Sequence, residues 1–162
     1  MYETTLIYDE SIVRRAVWCY WRRSLGAGYW GALVLVLASF VVLQLQGPND
    51  WVVIALAVTL AVALGFAALL YFVHHRASMA RFRRLSPPSA RFVADAETLA
   101  FSSSVGEVKL QWSVVKELWK FNDLWLILYD RSGFNVLPLS CMPDAMRDFV
   151  EERIRATGGR VR

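Results

Sequence analysis

Leu25 to Leu45 reads LGAGYWGALVLVLASFVVLQL, and Trp51 to Val73 reads WVVIALAVTLAVALGFAALLYFV. Neither stretch contains a charged residue. Each exceeds the roughly 20 residues that a helix needs to cross a hydrocarbon core about 30 Å thick. Lipid offers the backbone no hydrogen-bond partner, so an open segment crossing it must be helical. One apolar run alone would suit a buried helix of a soluble protein. Two in tandem, with Trp30, Trp51 and Tyr71 placed near the expected interfaces, predict two transmembrane helices. Gln46-Gly47-Pro48-Asn49-Asp50 joins them, a short link of turn-forming residues that imposes an antiparallel hairpin.

The charges flanking the hairpin orient it. Arg14, Arg15, Arg22 and Arg23 precede the first span, and Arg76, Arg81, Arg83 and Arg84 follow the second, whereas the link has no Lys or Arg. Positive residues stay on the cytoplasmic side, so both termini are expected in the cytoplasm and these eight arginines at the membrane interface, facing anionic headgroups. The first 24 residues include Glu3, Asp9 and Glu10, and the first apolar run is too long for a signal peptide, so the hairpin is expected to be retained. Within the spans, Ala27 and Gly31, and Ala57, Ala61 and Gly65, recur every four residues. Small residues at that spacing permit close helix approach, either within the hairpin or across a homodimer seam.

Composition agrees with a membrane chain. Of 162 residues 56% are hydrophobic and 20% charged, against roughly 45–50% and 25% in globular domains. Mean hydropathy is +0.36, yet 18 Lys and Arg against 14 Asp and Glu leave a net charge of +4. The arginines sit beside apolar spans rather than on a base-reading element, which argues against nucleic acid as a partner. Cys19 and Cys141 form no disulfide framework and stand at no metal-ligand spacing.

Asp9 to Ser24 has amphipathic helical periodicity. Val13, Ala16, Val17, Tyr20 and Trp21 fall on one side and the four arginines on the other, a pattern for a helix lying in the membrane interface or packing its apolar face on a cytoplasmic domain. After the second span the helix is expected to run on through His74, His75 and Arg84 until Ser86-Pro87-Pro88 stops it. Adjacent histidines point 100° apart on a helix and no further ligand follows, so no metal site is expected.

From Ala90 the periodicity shortens. Ala90–Ala94, Glu97–Phe101, Val108–Trp112, Val114–Phe121, Leu124–Tyr129 and Phe134–Leu139 read as strands with turns at Asp95-Ala96, Val105-Gly106, Asn122-Asp123 and Asp130-Arg131-Ser132-Gly133. Pro143 opens a last helix whose Met146, Phe149, Val150 and Ile154 form an apolar stripe, ended by Gly158-Gly159. The chain thus divides into a strand and amphipathic helix over 1–24, a hairpin over 25–73, a basic linker over 74–88 and a cytoplasmic domain over 89–162. The fold class is α+β: a transmembrane hairpin plus a small antiparallel PH-like sheet, strongly bent or closing into a partial barrel, capped by the C-terminal helix. Tyr2 to Tyr8 has strand composition and is expected to join that sheet as a seventh strand.

Leu110-Gln111-Trp112-Ser113-Val114-Val115-Lys116-Glu117, with Leu126-Ile127-Leu128-Tyr129 and Val136-Leu137-Pro138 in register behind it, resembles the YcxB-like family of small bacterial membrane proteins. The resemblance implies a PH-like C-terminal domain and a place in the bacterial inner membrane. It carries no defined biochemical role. Phosphoinositide binding by PH-like domains uses basic residues around the first strand turn, and here that turn is Asp95-Ala96-Glu97.

No phosphate loop, metal-ligand pair or nucleophile elbow is present, and no acidic residue lies in either span. Ser102-Ser103-Ser104 has no histidine in its domain to act as a base. No cofactor is expected. Trp112, Trp119 and Trp125 are read as core residues, with an exposed partner surface as the alternative. The expectation is a non-enzymatic, membrane-anchored interaction module. The alternatives are an accessory or immunity-type membrane protein acting through its spans, and a subunit borrowing catalytic groups from a partner.

Overall fold

The computed structural model describes residues 1–47, 50–129 and 133–162. Pro48 and Asn49 of the interhelical link and the Asp130-Arg131-Ser132 turn lie outside the described residues. The chain forms two compact units, one of residues 1–16 with 78–162, the other of residues 17–77.

The first unit holds the sheets. β1 (Tyr2–Ile7), β2 (Ser89–Ala94), β3 (Thr98–Ser103) and β4 (Gly106–Gln111) form an antiparallel sheet in that order. The N-terminal segment therefore joins the C-terminal strands as expected, Tyr2 opposite Ala94 and Leu6 opposite Ala90. A second sheet follows the order β7 (Phe134–Pro138), β6 (Leu124–Tyr129), β5 (Val115–Lys120) and β8 (Arg160–Val161). Where the sequence led to a strongly bent sheet or partial barrel, the strands divide between two sheets. Trp112–Val114 forms a turn of 3-10 helix between β4 and β5 and turns the Trp112 ring inward, 1% exposed, so the two strands do not pair. The second sheet is also not wholly antiparallel, because β8 runs parallel to β5 after Gly158 and Gly159 end the last helix.

That helix, α3 (Asp144–Ala156), places Met146, Val150 and Ile154 fully in the core at four-residue intervals. They meet Leu6, Phe92, Leu99, Trp112, Leu118, Ile127 and Leu137 from both sheets. Phe149 of the predicted stripe is only half-buried and lies 5.1 Å from the Tyr2 ring. The core is therefore closed by the two ends of the chain. Two further bonds fix β1: the Tyr8 amide donates to Pro88 O at 2.9 Å and its hydroxyl to Val136 O at 3.1 Å.

The second unit, residues 17–77, is helical and holds the greater part of two long helices. α1 (Glu10–Gln46) is broken at Gly26, whose φ of 73° is a left-handed conformation that glycine adopts without strain. The break separates 10–25 from 27–46, close to the boundary that the sequence suggests between amphipathic helix and apolar span. α2 (Asp50–Phe82) runs without a break and carries the basic exit at its end. Leu33, Val36, Phe40 and Leu43 of α1, and Leu56, Leu60, Ala63, Ala67 and Leu70 of α2, are the less exposed stripes of the two helices. The Trp21 indole donates to Ala67 O at 2.7 Å and the Tyr29 hydroxyl to Ala63 O at 2.6 Å.

The small residues do not make this packing. Ala27, Gly31, Ala57, Ala61 and Gly65 are all exposed, and a Cβ on Gly31 or Gly65 would meet nothing within 4 Å. The reading in which they pack the hairpin on itself is corrected accordingly: a four-residue repeat puts residues on one face, but here the bulkier stripe faces inward.

Candidate ligand cleft and the basic exit

The tryptophans leave the list of surface candidates. Trp112, Trp119 and Trp125 are 1%, 7% and 5% exposed, so none can anchor a partner on an open surface. Each is held from within. The Trp112 indole donates to Asp95 O at 3.0 Å and the Trp119 indole to Glu117 Oε2 at 2.6 Å, while Lys120 Nζ lies 5.2 Å above the Trp125 ring. Trp119 on β5 and Trp125 on β6 lie on opposite faces of the second sheet, and both are buried there.

The acidic β2–β3 turn is committed to its own backbone. Asp95 Oδ1 accepts from the amides of Glu97 and Thr98 at 2.9 and 2.7 Å, and Oδ2 accepts from the Thr98 hydroxyl at 2.8 Å. These donors hold the Asp95 carboxyl below the usual carboxylate range. The turn thus presents carboxylates where an anion-binding loop would present guanidiniums.

The eight arginines divide by their partners. Arg14 pairs with Glu10 one turn earlier, and Arg15 Nε lies 3.1 Å from Asp123 Oδ2 at the β5–β6 turn. Arg23 is half-buried and engaged, whereas Arg22 is exposed. His74 and His75 pack on aromatic rings, His74 at 5.0 Å from Tyr20 and His75 stacked at 5.6 Å on Tyr71. Arg76, Arg81, Arg83 and Arg84 are exposed and have no ion-pair partner among the described residues.

Two of these last four open onto a cleft that the sequence did not announce. It lies wholly in the sheet unit and has a volume of about 470 Å³. Its walls are Tyr8, Val13, Ser78, Arg81, Phe82, Arg84, Leu85, Ala90, Phe101, Ser103, Val105, Phe134, Asn135 and Val136. β1 leads into Tyr8 and β7 carries Val136, so the hydrogen bond between these two residues ties the edges of the two sheets at the cleft wall. Asn135 donates to the Tyr129 hydroxyl at 3.0 Å. Burial pushes the phenols of Tyr8 and Tyr129 well above their ordinary titration range, so both stay protonated near neutral pH. Phe101 stacks on Phe92, their centroids 4.8 Å apart, which continues the core into the cleft floor.

Chemically the cleft is apolar with a cationic mouth. Among the described residues that line it, none is acidic and none offers an imidazole or thiol beside the serine hydroxyls. A nucleophile–base pair is therefore missing among these residues, while a binding surface is present. Sequence reading missed it because six separate segments, far apart in the chain, contribute to it. The available signal was the pair of arginines that follow the second span.

Residues 94–152 match the model of the family described as YcxB-like protein. The resemblance first drawn from Trp112 and its neighbours holds over that segment, from the end of β2 into α3. β1, the two long helices, Arg81 and Arg84 lie outside it. No curated protein and no solved structure gave a match.

Proposed function

We propose that this chain, YcxB-like over residues 94–152, is a multi-pass protein of the bacterial inner membrane that displays a PH-like, non-enzymatic binding module to the cytoplasm. The observation that carries the reading is the uncovered apolar surface of the long helices. Their most apolar stretches are almost wholly uncovered by protein. A core helix of a soluble protein would be buried. Val34, Leu35, Leu37, Ile54, Val62, Leu64, Leu69 and Phe72 are instead each more than half exposed. In water that surface would far exceed the few hundred Å² of contiguous apolar patch usual on a soluble monomer, and lipid is the solvent that suits it. The one-sided arginines support both termini facing the cytoplasm.

The PH-like reading is supported by the strand order, in which two four-stranded sheets follow one another and a C-terminal helix packs its apolar stripe between them. Carbonate extraction of membranes from a bacterial host expressing the full chain tests anchorage: the protein should stay in the pellet. Release into the alkaline supernatant would overturn the reading.

A further inference from the structure

The cleft described above has a chemistry that selects its occupant. Its interior is built from Phe82, Phe101, Phe134 and Val136, and its mouth carries Arg81 and Arg84. The chain carries 14 Asp and Glu, and Arg14 and Arg15 each find one. Arg81 and Arg84 find none among the described residues, and no acidic side chain among those residues lines the cleft. Arg81 Nη1 lies beside Gly133, just before β7: a Cβ built there would stand 4.0 Å from it. A neutral apolar ligand would leave both cations unmatched. A small anion would leave the aromatic floor wet. A ligand joining one anionic head to one apolar chain satisfies both regions.

We infer that this cleft is a binding site for a single-chain anionic amphiphile of the fatty-acid class, its carboxylate held by Arg81 and Arg84 and its chain laid over Phe82, Phe101 and Phe134. A volume of about 470 Å³, in the lower half of the roughly 300–1,000 Å³ range of small-molecule pockets, suits one chain. A guanidinium presents two parallel N–H donors to a carboxylate, so the head gains charge and geometry together. The Tyr8 hydroxyl is already spent on Val136 O, so the arginines supply the charged donors that read the head. The inference concerns the sheet unit alone and stands apart from the direction in which the long helices are inserted.

The test uses the full chain in phosphatidylcholine nanodiscs and palmitate carrying a mid-chain diazirine, with adducts mapped by mass spectrometry. Adducts are expected on peptides spanning 98–105 and 133–138, besides those on the apolar helices that any membrane-dissolved probe gives. Oleate should displace the cleft adducts, and oleyl alcohol and inorganic phosphate should not. The R81Q/R84Q double variant should need at least roughly tenfold more probe, about 1.4 kcal/mol, for the same cleft labelling, with helix labelling unchanged as an internal reference. R81K/R84K, which keeps the charge but loses the paired donors, should fall between wild type and R81Q/R84Q, and R83Q, outside the cleft, should keep all of the labelling. Adducts confined to 25–45 and 51–73 would overturn the inference. So would equal competition by oleyl alcohol, wild-type labelling of the cleft in R81Q/R84Q, or displacement by lysophosphatidylglycerol but not by oleate.

Discussion

Leu6 offers a sharp test of how the two ends of the chain are joined. Its side chain is fully buried among residues from both sheets, whereas its neighbour Ile7 is 63% exposed on the opposite side of β1. Truncating a fully buried leucine to alanine removes its transfer free energy and leaves a cavity, together costing about 2–5 kcal/mol. A domain of this kind has only roughly 5–15 kcal/mol to lose. Because β1 pairs with β2 across more than 80 intervening residues, the cost should appear in the sheet formed by the C-terminal segment. Amides of 89–94 and 98–103 that exchange through global opening should exchange roughly 30-fold to several thousand-fold faster in Leu6→Ala, at about 1.4 kcal/mol per factor of ten. Ile7→Ala should change them less than about threefold, a few tenths of a kcal/mol, as surface substitutions do. Hydrogen exchange read by mass spectrometry on the full chain resolves the two variants. Equal protection of 89–94 in wild type and Leu6→Ala would refute the shared core.

Gly159→Ala should destabilise the sheet unit by about 1–3 kcal/mol, since a Cβ there would lie 2.6 Å from Ile154 Cγ2 and 3.1 Å from Val115 O; a denaturant titration followed by tryptophan fluorescence measures it. Trp112→Phe should cost about 2–4 kcal/mol in the same titration, because it leaves Asp95 O without its indole donor and opens space in the core. Asp95 titrates below the usual carboxylate range in the folded chain, so its stabilising effect is present above the ordinary carboxylate pKa and lost as pH falls through the folded one. Exchange at 95–98 should therefore rise on acidification below about pH 4, beyond the intrinsic dependence, and Asp95→Asn should remove that extra rise.

Much of the fold is legible because different physics marks each part. The long helices are marked by uncharged runs, which only lipid or a very large core permits. The strands are marked by turn residues: Asp95, Gly106, Asn122 and Gly133 each stand at or beside a strand end. β1 is legible from its Thr and Tyr content together with its place on the same predicted side of the membrane. β8 is not, because two residues in a charged tail pair with β5 only after the turn at Gly158 and Gly159 has brought them there. The division into two sheets is equally hidden, for it depends on the Trp112 ring turning inward. The small-residue stripe misleads because spacing defines a face and leaves open what that face meets. Of the site, the arginines are visible and the cleft is not. Their ion pairs with Glu10 and Asp123, or the lack of any, follow from tertiary geometry that no local pattern encodes.

Anchorage with both ends inside is tested most directly by the accessibility of single cysteines. In a background of Cys19→Ser and Cys141→Ser, Gln46→Cys marks the end of α1 beside the interhelical link, and Ser104→Cys marks the β3–β4 turn; both positions are exposed. In spheroplasts a membrane-impermeant maleimide should label Gln46→Cys at once and Ser104→Cys only after the membrane is permeabilised. Labelling of Ser104→Cys in sealed spheroplasts, or protection of Gln46→Cys until they are opened, would contradict the account.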